Sequence, residues 1–227
     1  MRLVFLSSGG GATAEAVHSL IKHEITRIFS KQSTISILAD RECGAIQWAS
    51  KNNIPNQIIS LEGKGSWHTV ANMEAIQMSD VIITTIHKII PSHFVQRYGN
   101  KLINVHYSIL PAFQGLIGKK TVQTSLDYGS MLLGATCHYV TEKVDAGKPI
   151  CQVAFPSKSS KLVEQTHKCF LSGCLALINA ISLLNPDKFQ NQSANNTVKF
   201  DGTEYMVNPC HIDTQNAIEF LCKRGAA

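Results

Sequence analysis

The chain has 227 residues, of which 44% are hydrophobic and 16% charged. That length supports one α/β domain with a substantial core, and the balance is too apolar for disorder and too interrupted by polar residues for a membrane protein. The net charge of +5 comes from lysines and arginines spread along the chain. It lacks the basic cluster interleaved with aromatics that a nucleic-acid groove needs, and a small anionic substrate suits it at least as well.

The opening MRLVFLSS is too short in apolar residues for a secretory signal and reads as a first strand over residues 3–6. A glycine-rich turn follows, then Val17, Leu20, Ile21, Ile25 and Ile28 recur at three- and four-residue intervals as one buried helical stripe. Residues 35–38 read as a strand and 44–50 as a short helix ended near Asn53 and Pro55. Further strand-like runs at 57–59, 81–83 and 102–105 alternate with helical spacing, the pattern of a parallel sheet with crossover helices.

After residue 130 the pattern changes. Runs at 135–140 and 150–155, joined by a polar turn, read as antiparallel strands, and a long helix over 162–184 closes at Asn185 and Pro186. Its most apolar stretch, 175–184, is too short to span a bilayer and contains Asn179 and Ser182. An Asn- and Gln-rich turn follows, holding glycosylation-type triplets at Asn191 and Asn195 that carry no meaning without a secretory signal. Runs at 198–200 and 204–207 flank Asp201-Gly202 as a hairpin. The expected fold is α/β: a single domain over 1–227, with a mostly parallel twisted sheet, helices on both faces and antiparallel C-terminal strands. Seven cysteines, an odd number with no C-x-x-C pair, suggest neither a disulfide framework nor a metal site, and fit a reducing cytoplasm.

Three places could carry chemistry. Ser8, Gly9, Gly10, Gly11 and Thr13 lie between the first strand and first helix, where backbone N–H groups and the helix dipole bind anions. The same residues also suit a tight structural turn closed by a Thr13 N-cap. Asn104 and His106 alternate at the end of a strand, so both project to one side, roughly 6–7 Å apart at the Cα level. They could converge on one carbonyl oxygen, or be an ordinary strand-end histidine and a turn cap. Asp145 stands in a polar turn and, alone, reads as a solvated aspartate.

Residues 103–115, running from Asn104-Val105-His106 through Ser108-Ile109-Leu110-Pro111 to Gly115, resemble the Asn-x-His-x-Ser-Leu-Leu-Pro signature of the folate-dependent formyltransferases. Residues 134–141, leading into 144–150, resemble that family's second motif, which holds a catalytic aspartate. The resemblance covers nearly the whole chain and implies catalytic roles for Asn104, His106 and Asp145. It implies 10-formyltetrahydrofolate as cosubstrate, lodged against His87, Lys88, Ile89, Ile90, Val140 and Val144. The glycine turn and the late Asp201-Gly202 turn are most similar to the branch that formylates glycinamide ribonucleotide in purine biosynthesis. That similarity implies an acceptor phosphate on the glycine turn.

The chain departs from that branch at several positions. Gly10, Gly11, Ala12 and Thr13 stand where Asn, Gly, Ser and Asn are usual, Tyr107 replaces a proline, and residues 116–120 lack the usual histidines. His87-Lys88 replaces Met-Arg, and Phe170-Leu171 aligns with a Glu-His pair that helps hold the ribonucleotide. Another small amine such as an amino sugar nucleotide is the alternative acceptor, and a folate-binding protein without turnover the alternative function. Family hydrolases carry an added N-terminal regulatory domain and initiator-tRNA enzymes a larger C-terminal one, neither expected here.

Overall fold

The computed structural model describes residues 1–25, 32–63, 65–159, 161–185 and 196–223. Ile28, Asn191 and Asn195 lie outside them.

Among the described residues a single nine-stranded sheet runs β3-β2-β1-β4-β5-β6-β7-β9-β8. Its parallel half comprises β1 (Arg2–Ser7), β2 (Thr34–Ala39), β3 (Asn56–Ile58), β4 (Val81–Thr85) and β5 (Leu102–His106). The antiparallel half comprises β6 (Leu132–Tyr139), β7 (Pro149–Pro156), β8 (Thr197–Phe200) and β9 (Thr203–Asn208). The central strands are near-continuous apolar runs because both of their faces are covered. Leu3 and Phe5 of β1 face one core while Val4 and Leu6 face the other, the two-residue alternation of extended chain.

The larger core lies under α1 (Ala12–Lys22), α2 (Gly44–Lys51), α7 (Leu162–Leu183) and α8 (Thr214–Lys223), with Val122 of α6 (Lys119–Asp127) joining it. The smaller lies under α3 (Ser66–Ala71), α4 (Glu74–Gln77) and α5 (Ser92–Tyr98). Helix α7 is long and apolar enough to cross a membrane by length and composition, yet most of its residues are buried inside the fold, as in a core helix. Each large side chain buried this way contributes about 1.5–3 kcal/mol. The expected strands, the α1, α2 and α7 helices and the C-terminal hairpin all form, except that α1 ends at Lys22 with His23 as its C-cap, so Ile25 of the expected stripe lies beyond the helix. Positive φ at Asp201 and Gly202 gives that hairpin its tight turn.

One topological feature positions the site. From β1 the chain passes through α1 to β2 on one side, whereas β4 pairs with β1 on the other. The loops leaving β1 and β4 therefore diverge, opening a crevice at the strand ends where open α/β sheets bind ligands.

Candidate active site

Strand β5 sorts its side chains by parity. Leu102 packs into the α3–α5 core while Ile103 and Val105 pack on the α1–α7 side, which leaves Asn104 and His106 on the face of Leu102. The antiparallel register sets His138 of β6 opposite Asn104 and Thr136 opposite His106. Directly opposed residues share a face, so His138 joins the site.

Asp145 reaches the same point from the turn between β6 and β7. Its φ is +52°, and a Cβ at Gly147 would lie 1.6 Å from the Tyr139 carbonyl oxygen, so only glycine lets the turn close this tightly against β6. The loop after β5 clamps the aspartate. Gly115 N–H donates to Asp145 Oδ2 at 2.8 Å and the Gln114 side-chain amide donates to the Asp145 carbonyl at 2.8 Å.

The carboxylate lies between two histidines. His106 Nδ1 is 3.4 Å from Asp145 Oδ2 and His138 Nε2 is 3.7 Å from Oδ1, and all three side chains are buried. The other ring nitrogen of His106, Nε2, lies 3.0 Å from the Phe113 carbonyl oxygen. His138 Nδ1 lies 2.8 Å from the Tyr139 carbonyl oxygen. Burial pushes the His138 pKa below its ordinary value, against the opposing pull of the Tyr139 carbonyl and of Asp145. A neutral His138 that donates from Nδ1 presents the Nε2 lone pair to the aspartate, and among the described residues Nε2 makes no hydrogen bond. Asn104 lines the adjoining cleft, and among the described residues its side-chain amide has no partner.

The glycine turn flanks this group from the β1 side. Gly9, Gly10, Gly11 and Thr13 line the cleft. Ser8 does not: its Oγ accepts the backbone N–H of His87 at 2.8 Å and its hydroxyl bonds Asp40, tying the β1 and β4 loops together. Thr13 is not the helix cap. Gly11 is, at φ +79° without a side-chain cap bond, because its close approach to Ala45 leaves no room for a Cβ. Thr13 sits in the first turn of α1 with its hydroxyl on Tyr107.

The cleft has a volume of about 610 Å³. His87, Lys88, Ile89, Ile90, Val140 and Val144 all line it. Ile89, Val144 and Ile117 form an apolar rim at its mouth, 72%, 50% and 62% exposed. Apolar walls with a few convergent polar groups are the make-up of a small-molecule site.

A family model described as formyl transferase matches residues 1–171. The chain belongs to the formyl transferase family. It is 25% identical over 173 residues to a chloroplastic phosphoribosylglycinamide formyltransferase of Vigna unguiculata, covering 72% of this chain and 54% of that one. It is 29% identical over 133 residues to a formyltetrahydrofolate deformylase of Escherichia coli strain K12 and 30% identical over 133 residues to that of Shigella flexneri, in each case covering 57% of this chain and 43% of the relative. The chain thus spans about half the length of these curated relatives. A glycinamide ribonucleotide transformylase from Symbiobacterium toebii shares the fold, with TM-score 0.72, 21% identity and coverage of 85% of this chain and 91% of that one.

Phe170 and Leu171, at which the resemblance sets an acceptor-holding pair, are both buried in the larger core away from the cleft. The sequence reading missed His138. It lies in the second motif at the same parity as Thr136 and Val140, but only its register with β5 shows that it meets Asp145.

Proposed function

We propose that the protein transfers a formyl group from 10-formyltetrahydrofolate to the amine of a small acceptor. The observation that carries this reading is the Asn104 amide, without a partner among the described residues, in the cleft beside the buried His106, Asp145 and His138. The apolar rim and Lys88 suit a folate, whose flat ring system and carboxylate tail need both.

The amine nitrogen attacks the formyl carbon, the carbonyl oxygen takes up charge, and the bond from carbon to the folate nitrogen then breaks. Asn104 donates to that oxygen throughout. His106 joins as a second donor once its Nε2–H turns from the Phe113 carbonyl, with Asp145 holding the ring in place. The amine's proton passes to Asp145, directly or through water, and onward to the folate nitrogen as it leaves. The His138 lone pair facing Oδ1 is placed to take that proton in transit.

The acceptor named by the plant relative, glycinamide ribonucleotide, is the first to test, which would place the chain in purine biosynthesis; an amino sugar nucleotide is the next. A second reading, water as acceptor, draws on the likeness to deformylases. The cytoplasm is the proposed compartment, and seven free cysteines support it. The assay mixes pure protein with 10-formyltetrahydrofolate and each amine in turn, or none, and follows release of the deformylated folate. Asn104→Ala and His106→Ala are each expected to lower turnover by ~10²–10³. Folded variants that keep wild-type turnover would overturn the assignment.

A further inference from the structure

Val105 and Tyr107 continue the opposite parity of β5, toward α1 and α7. The Tyr107 ring packs on the α7 backbone: a Cβ at Gly173 would lie 3.0 Å from its Cε1 and 3.0 Å from Val105 Cγ1. Its hydroxyl is hydrogen-bonded to Thr13 in the first turn of α1. The side chain therefore reaches from the residue after His106 to the end of the glycine turn. It forms part of the cleft wall along the path that an acceptor seated at Gly9–Gly11 would take to the formyl centre.

Charge tells the same story. On this side the cleft is lined by Phe5, Thr13, Ala14, Val105 and Tyr107, none of them charged. Its charged or basic side chains, His87, Lys88, His106, His138, Glu142 and Asp145, belong to the loops after β4 and β6 and to the ends of β5 and β6. A phosphate here would meet backbone N–H groups and the hydroxyls of Ser7 and Thr13 but no charged side chain of this wall, and Phe170, buried in the core, offers a ribose no carboxylate. Burial keeps the Tyr107 phenol neutral by raising its pKa.

Building on the formyl-transfer reading, we infer that Tyr107 determines acceptor specificity. It sets the site to take a compact, unphosphorylated acceptor in preference to one carrying a phosphoribosyl group.

Two probes differing only in that group, glycinamide and glycinamide ribonucleotide, test this by calorimetric binding and by formyl transfer. The wild type is expected to favour glycinamide at least tenfold in both. Tyr107→Ala opens the path and is expected to raise glycinamide ribonucleotide affinity at least tenfold. Tyr107→Phe keeps the ring and is expected to keep the wild-type preference. Tighter wild-type binding of the ribonucleotide would overturn the inference, as would an unchanged ratio in a folded Tyr107→Ala. The wild-type ratio decides even if that variant does not fold. Should neither probe, nor an amino sugar nucleotide, nor water take the formyl group, the formyl-transfer reading falls, while the binding ratio still judges Tyr107.

Discussion

His138 ties the chemistry of the site to the stability of the fold. Its pKa is depressed by burial from an ordinary value of 6.5, so in the unfolded chain the same residue takes up a proton at higher pH than in the folded one. As pH falls below about 6.5 the unfolded state gains protons first, and stability is lost until the folded-state value is passed. His138→Asn keeps a donor for the Tyr139 carbonyl and removes the titration. Its melting temperature is expected to fall less steeply than the wild type's between pH 7.5 and 5.5. Parallel curves for the two proteins would mean that His138 titrates alike in both states. This residue was not legible in the sequence as a site residue, whereas Asn104, His106 and Asp145 were singled out there. Its contact with Asp145 depends on a cross-strand register and on a left-handed turn, neither of which a local pattern encodes.

Among the elements, the glycine turn separates two jobs that its sequence runs together. A Cβ on Gly10 would meet nothing within 4 Å, while one on Gly11 would lie 2.8 Å from Ala45 at a φ of +79°. Gly11→Ala is expected to cost about 1–2 kcal/mol from the left-handed backbone alone, before the clash. It should lower the melting temperature. Gly10→Ala is expected to leave that temperature unchanged and to raise acceptor KM severalfold, since its methyl projects into open space in the cleft. An unchanged KM would reduce the turn to a structural role. The strands, α1, α2 and α7 were legible because long apolar runs and helical stripes outweigh local noise. The short helices α3 to α5 emerged only as unspecified crossovers, and α6 and α8 not at all. Four to seven residues in α3, α4 and α5 are too few to show a period. The expected Thr13 cap failed because tertiary contact with Ala45 placed the helix start at Gly11.

Across the molecule, the cleft draws on both halves of the sheet. The parallel half brings the glycine turn, the 86–90 loop and Asn104-Val105-His106 to one end, and the antiparallel half brings His138 and Asp145. A folate seated against both Ile89 and Val144 should therefore order two segments far apart in sequence at once. Tetrahydrofolate at a hundred times its Kd would contribute about 2.7 kcal/mol. For a chain of this size that corresponds to a rise in melting temperature of roughly 5–10 °C. Hydrogen exchange should slow together in 86–90 and 140–146, with the intervening loop at 113–118 following because Gln114 and Gly115 hold Asp145. If protection stopped at 86–90 and the Asp145 turn exchanged as before, the folate would rest on the parallel half alone. Asp145 would then lie outside the reach of the formyl group, and the proton path through Asp145 and His138 could not operate.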